Sequence, residues 1–414
     1  MYCKTLILAF LVLTGSLWAG AQQATLDYFL TSALQNSPLL KDYGYQQRAN
    51  AIDSSRIAAS YRPQVFASSL NSYAPVVHGF GYDGAITNFG NFSELITVSK
   101  QLVSRPNLQN QYGALRLAND SLSLASRISE QDIRREVTAQ FISAYGSWQQ
   151  YLYNKEIYTL LAGEDTLLRT LTQANVYRQT DYLTFLVTLK QQQLAVTQAR
   201  TQYHQDYGML NYLCGLVDTS FTELKEPLLG PDSLIAGEQS VYYRKFLLDS
   251  LLLENQHARI DFDYRPKVSL YADAGLVTSL QYEPYKNFGT SVGISVQVPI
   301  YDGHQRKMLH NKVNLAEETR RWYRDFFRNQ YTQQVAQLLQ QVRLASEAID
   351  QAADQLKYSR GLIDANGKLL ATGDLRIADY ILAINNYLQL RNVLTINTIN
   401  RWQLINQLNY WNQP

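Results

Sequence analysis

Cysteine is nearly absent from this chain, with two among 414 residues, Cys3 and Cys214. Cys3 precedes the first apolar run, so Cys214 is left as a lone thiol and an internal disulfide framework is excluded. Histidine is equally sparse: His78, His204, His257, His304 and His310 are scattered, and the last two, six residues apart, share a helix face too poorly for a metal pair. No phosphate-binding glycine loop is present, and no nucleophile, acid–base pair or metal set converges, so no cofactor and no enzyme chemistry are expected. Net charge is lacking too. The formal balance of +2 is too close to neutral for a general nucleic-acid binder. Beyond the N-terminal segment, no apolar run approaches the roughly 20 residues of a membrane-spanning helix. An exported chain without one is periplasmic, secreted or an outer-membrane β-barrel, whose alternating strands escape hydropathy.

What the chain has in quantity is tyrosine, 30 residues of it. Tyrosine suits a large aromatic interior, and equally a membrane interface where the ring is buried and the hydroxyl reaches water. The N-terminus is more decisive. Lys4 supplies a positive region, Leu6 to Trp18 is an uncharged apolar run, and Ala19-Gly20-Ala21 gives a small-x-small cleavage pattern before Gln22. Residues 1–21 read as a signal peptide, too short in its apolar part to span a bilayer.

Two halves of the mature chain resemble each other. Tyr61-Arg62-Pro63-Gln64-Val65 recurs 203 residues on as Tyr264-Arg265-Pro266-Lys267-Val268. Thr180-Asp181-Tyr182-Leu183 matches Ala378-Asp379-Tyr380-Ile381, and Leu210-Asn211-Tyr212 matches Leu408-Asn409-Tyr410, both at an offset of 198. Three matches in one order at nearly constant offset argue for a duplication. The first repeat is placed at 22–213, a linker with two prolines and three glycines at 214–239, and the second repeat at 240–414.

Each repeat reads in one order. A helical segment (25–59, 240–262) ends at the Tyr-Arg-Pro signature, because proline biases its predecessor away from helix. Two strands follow, expected at 63–75 and 92–103, then at 264–277 and 289–301. Val268, Leu270, Ala272, Ala274 and Leu276 alternate with Ser269, Tyr271 and Asp273, and Val292, Ile294, Val296, Val298 and Ile300 alternate with Ser291, Gly293, Ser295 and Gln297. In the first repeat Ile96 and Val98 oppose Thr97 and Ser99. Long helical hairpins come next, 107–213 and 304–410, and 65 helical residues reach about 95–100 Å. Tyr331, Val335, Leu338, Val342, Ala345, Ile349, Ala352 and Leu356 form a heptad seam for packing on neighbouring helices. Gly373 and its counterpart Asn175 suit a left-handed position at the hairpin turn.

Four amphipathic strands cannot close a barrel, and an open sheet in lipid leaves backbone groups unpaired at several kcal/mol each. Other subunits must complete the sheet. Three copies give twelve strands, within the range of bacterial barrels, and closed cyclic symmetry is the usual form of a homo-oligomer. The fold class expected is therefore an α+β membrane protein, internally duplicated, with four barrel strands and long coiled-coil-like helices per chain.

The residues here resemble a known family. The order helix, strand, strand, long helix, return helix, twice after a signal peptide, is similar to the TolC-like outer-membrane efflux proteins. Gly293 to Gly303, ending Pro299-Ile300-Tyr301-Asp302-Gly303, resembles the strand-to-helix junction of that family, and Thr372 to Ala383 resembles its periplasmic hairpin tip. The first repeat departs from both patterns: Gln101-Leu102-Val103-Ser104-Arg105-Pro106 stands at the junction and Asn175 at the tip. The resemblance implies a homotrimer with a 12-stranded barrel in the outer membrane and a 12-helix tunnel through the periplasm. It also implies a periplasmic adaptor and an inner-membrane transporter as partners, with outer-membrane lipid around the barrel and no nucleic acid.

Site residues follow from these placements. Asn175, Asp181, Gly373, Asp374 and Asp379 are candidates for the periplasmic tip and its constriction. For the aspartates, Asp364 included, two readings stand: a carboxylate ring that favours cations, or helix caps and solvated groups. Arg62, Pro63, Arg265, Pro266, Pro299, Tyr301, Asp302 and Gly303 mark strand–helix junctions. Tyr82, Phe89, Tyr282 and Tyr285 are outer-loop aromatics, placed at the lipid interface in preference to a gate. The function expected is a passive exit duct for small molecules in an efflux system. A duct for type I protein or peptide secretion is the alternative, and a structural periplasmic coiled coil is the reading from another class.

Overall fold

The computed structural model describes residues 24–83, 90–220, 222–232, 240–279 and 283–412. The expected signal peptide and two of the loop aromatics, Phe89 and Tyr282, lie outside the described residues. The chain is mostly helical, with one four-stranded antiparallel sheet. In chain order the elements are α1 (Leu26–Asn36), α2 (Pro38–Ser60), β1 (Gln64–Tyr73), β2 (Gly90–Leu102), α3 (Arg105–Gln173) and α4 (Gln179–Cys214). Then come α5 (Val241–Asp263), β3 (Lys267–Thr278), β4 (Phe288–Gln297), α6 (Gln305–Thr372) and α7 (Ile377–Trp411). No helix among the described residues is long and apolar enough to cross a membrane.

Local sequence sets the ends. Thr25 caps α1, its hydroxyl accepting the Tyr28 amide at 3.4 Å, and Asp27 sits favourably in the first turn. Pro38 then divides the N-terminal helical stretch in two, since it lacks the N–H that would continue the ladder and pushes Ser37 to extended backbone, φ −60° and ψ 115°. α4 ends at Gly215, left-handed at φ 65°. β4 stops at Gln297, so Val298 and Ile300 of the expected alternation lie beyond it, immediately before and after Pro299.

The chain divides into two compact units. The first takes the residues up to Lys41, Arg127–Val241 and everything from Arg328 onward. It holds two buried clusters. One gathers Phe29, Phe141, Ile142, Tyr203, Leu210 and Cys214 with Trp148 and Trp402. The other gathers Ile157, Leu161, Leu168, Phe185, Ile363, Leu370, Tyr380 and Ile384 from α3, α4, α6 and α7. Each large side chain so buried contributes about 1.5–3 kcal/mol, which is what holds long helices that would be unstable alone. The α6 seam has a heptad rhythm: Tyr331, Leu338, Ala345 and Ala352 are buried, while Val335, Val342, Ile349 and Leu356 are half-buried.

The second unit takes Asp42–Ser126 and Tyr242–Phe327. Its sheet has the order β1-β2-β3-β4, so the hairpin β1–β2 and the hairpin β3–β4 are joined through β2 and β3. Helices in this unit are tied by polar side chains. Asn110 and Asn255 each donate to the other's backbone carbonyl, at 3.1 and 3.0 Å, and Asn50 donates to Asn119 at 2.8 Å. Phe327 packs against Tyr243 and Phe246.

Candidate functional site: the sheet face, the strand–helix junctions and the helical tips

Pairing register decides what each face of the sheet presents. Val65 pairs with Val98, Val98 with Ala272, and Ala272 with Val292. One face therefore carries Ile96, Val98 and Leu102 of β2, Val268 to Leu276 in alternation on β3, and Val292, Ile294 and Val296 of β4. The other face carries Thr97, Ser99, Tyr271, Asp273, Ser291, Gly293 and Ser295. β1 is less clean, with Val65 and Ala67 on the first face and Phe66 and Leu70 on the second. The apolar face is open: Val292 is 87% exposed and Ile294 67%. It is interrupted by Lys100, in the row of Leu270 and Ile294, and by Glu94, whose carboxylate accepts from Ser69 Oγ at 2.7 Å and Asn71 Nδ2 at 3.0 Å. β1 and β4 each pair on one side only among the described residues.

At the junctions, Asp302 organises the start of α6. Its carboxylate accepts the His304 amide at 2.9 Å and the Arg306 amide at 2.7 Å, and the Arg306 contact above all holds it below the usual carboxylate range. Gly303 and His304 are both left-handed, at φ 63° and 67°. Pro299 lies just past β4 and Tyr301 is exposed. Arg265 lies over the Phe262 ring at 4.6 Å, next to Pro266, while Arg62 and Pro63 form the matching turn before β1. Of the described loop aromatics, Tyr82 and Tyr285 are exposed, and Lys286 lies 5.6 Å from the Tyr285 ring.

At the tips, Asn175 and Gly373 are both left-handed, at φ 62° and 82°. Each closes its helix in the same way. Val176 N donates to Leu171 O at 2.9 Å and Asp374 N to Leu369 O at 3.0 Å, the long bonds of a Schellman ending. The turns also meet: the Tyr177 hydroxyl lies 2.8 Å from Leu370 O and 2.9 Å from Leu375 O, able to donate to one at a time. Asp374 accepts from Thr372 Oγ1 at 2.6 Å. Asp379 is not the cap of α7; Arg376 holds that position, and Asp379 sits in the first turn with Arg376 Nε at 2.9 Å. Asp181 has the equivalent place in α4, after Arg178, and is exposed. Asp364 is 3.6 Å from Arg360, which also reaches Glu156 at 2.8 Å.

Sequence spacing missed one group. His310 lies with His257, not with His304: the two Nδ1 atoms are 2.7 Å apart, and His310 Nε2 is 3.0 Å from Asp261, which also pairs with Arg306 at 2.7 Å. The traces in the sequence are two helical i,i+4 spacings, His257 with Asp261 and Arg306 with His310. No group of three or more His, Cys, Asp or Glu among the described residues is arranged to hold a metal ion.

No family sequence model and no curated protein sequence matches the chain. Solved structures do. CusC, a protein of transmembrane channel formation, aligns at 13% identity and TM-score 0.73 over 96% of each chain. The chain has the TolC-like channel fold. The outer membrane protein VceC of Vibrio cholerae aligns at 10% identity and TM-score 0.71, over 94% of this chain and 96% of that one. The MtrE outer membrane channel of Neisseria gonorrhoeae, in its open state, aligns at 11% and 0.71, over 93% and 88%. At such identities the likeness is one of fold.

Proposed function

We propose that this chain is the outer-membrane exit duct of a tripartite efflux system, built by duplication and active as a homotrimer. The observation that carries the reading is the sheet. Its apolar face is exposed and, among the described residues, its two edge strands are unpaired on their outer sides, a state that lipid does not tolerate and that partner strands relieve. Three copies supply twelve strands, and the helical hairpins supply the periplasmic tunnel. Small molecules pass without chemistry, driven by an inner-membrane transporter that an adaptor couples to the tips. The fold shared with outer membrane channels supports this reading.

Cell fractionation followed by light scattering, with the detergent subtracted, tests it. A protein mass of three chains from the outer-membrane fraction, with ion conductance in planar bilayers, is the expected result. A monomer that stays in solution without detergent overturns it.

A further inference from the structure

Beside the strand bases of the second unit lies a cavity of about 400 Å³, lined by the ends of β2, α3, α5 and β3. That volume is in the range of small-molecule pockets, about 300–1,000 Å³. Its charged lining is Arg259, Arg265, Lys267 and Asp263, three cations against one carboxylate. Arg259 spends its charge on Asp263, 3.3 Å away. Arg265 and Lys267 have no carboxylate within ion-pair distance among the described residues. The Arg265 guanidinium carbon instead lies 4.6 Å from the centre of the Phe262 ring, a contact that does not neutralise its charge. Neutral donors from Gln101, Ser104 and Asn107 line the same space.

We propose that this cavity binds a phosphate group. An uncompensated guanidinium and ammonium with uncharged donors around them match a tetrahedral oxyanion carrying one or two charges, and a guanidinium fork can hold two of its oxygens at once. The position indicates the source. The apolar face of the sheet ends between the row of Lys100, Leu270 and Ile294 and the row of Leu102, Val268 and Val296, next to this cavity, so a chain inserted in a bilayer has its water boundary there. Basic pockets at that depth take lipid headgroups. The headgroup assignment rests on the membrane reading given above; the phosphate site does not.

The test uses the detergent-extracted protein in native mass spectrometry with phosphatidylglycerol, and calorimetry with inorganic phosphate. Wild-type protein is expected to retain phosphatidylglycerol. The double variant Arg265→Gln, Lys267→Gln should bind at least about tenfold more weakly, as the loss of charge-assisted bonds implies. Arg62→Gln, outside the cavity lining, should bind as wild type, and Asp263→Asn, which frees Arg259, should bind more tightly. Retention of lipid that millimolar phosphate does not displace assigns the headgroup. Phosphate binding lost in the double variant, without lipid retention, assigns the free ion. Affinities for both probes that do not change across the variants overturn the site. The same spectra report the number of chains, so a monomer that binds phosphate through Arg265 and Lys267 keeps the site while the channel reading falls.

Discussion

Val176 packs against Gly373 so closely that a Cβ on the glycine would lie 2.7 Å from Val176 Cγ1. The two helical turns thus meet at the one residue that has no side chain, and that residue is also left-handed at φ 82°. Gly373→Ala meets both obstacles, a strained backbone and a clash with a β-branched neighbour. The expected cost is about 1–2 kcal/mol at the tip. Hydrogen exchange of residues 369–376 should quicken by about tenfold, with Val176→Ala partly restoring protection; unchanged exchange in Gly373→Ala means the turns do not rest on each other.

Tyr177 makes a separate contribution to the same place. Its hydroxyl serves the carbonyls of Leu370 and Leu375, which end α6 and lead into α7. Tyr177→Phe keeps the ring and removes the donor, at about 1 kcal/mol. Exchange should quicken at Asp374 and Leu375 and stay as it was along α3, a split that a general loss of stability would not give.

The tip aspartates differ in what neutralises them. Asp379 has Arg376 beside it, whereas Asp374 is exposed, its carboxylate accepting from the Thr372 hydroxyl and its backbone N–H donating to Leu369 O. If the tips form the constriction of a trimer, Asp374 supplies the less compensated ring of charge. Asp374→Ala should raise conductance or weaken block by divalent cations, and Asp379→Ala should do so less. Currents that match wild type in both variants remove the aspartates from the conduction path.

The local features were readable in advance, and the long-range ones were not. The Tyr-Arg-Pro turns, the alternation of β3 and β4 and the α6 seam follow from one proline and from periods of two and seven, all written within a few turns of chain. The left-handed pair Asn175 and Gly373 was readable for the same reason: few residues accept that backbone. Pairing of β2 with β3 joins residues about 175 apart, such as Val98 and Ala272, and nothing local encodes it. The meeting of His257 with His310 is likewise a product of helix packing, and Tyr177 gives no hint in sequence that its hydroxyl crosses to another hairpin. Of the two readings open for Asp379, the helix cap fails because Arg376 takes the cap position and Asp379 lies in the first turn, a difference of three residues that side-chain type alone does not decide.

Glu317 gives a pH dependence that can be checked away from the sheet. Hydrogen bonds from Arg320, and then from Arg321, hold its carboxyl down to about 2 from an ordinary 4.5. A depressed carboxylate stabilises the folded state fully above the unfolded value and loses that contribution as pH falls through the folded one. The window is therefore from about pH 4.5 down to about pH 2. Arg320 is also tied to the Phe246 carbonyl at 3.0 Å, so the pair joins α5 to α6. Glu317→Gln should cost about 1 kcal/mol at neutral pH, the pair being partly solvated. Its melting temperature should converge on wild type as the pH is lowered; a constant difference from pH 7 to pH 3 assigns the effect to packing.

The sheet faces can be told apart by moving one charge by one residue. Val98 lies on the apolar face and Thr97 on the polar one, and they are adjacent on β2. An arginine facing hydrocarbon near mid-depth costs about 2–4 kcal/mol, while one facing an aqueous lumen costs little. Val98→Arg should therefore cut the amount of trimer recovered from the outer membrane. Thr97→Arg should assemble normally and lower cation conductance instead. Glu94 and its partners Ser69 and Asn71 sharpen the comparison, because they place a satisfied carboxylate on the apolar face two rows from Val98. A charge there is tolerated only if that row reaches headgroups or water, so Glu94→Leu should leave assembly intact while Ile96→Glu, one row deeper, should not. Equal recovery of all four variants would mean that neither face meets lipid.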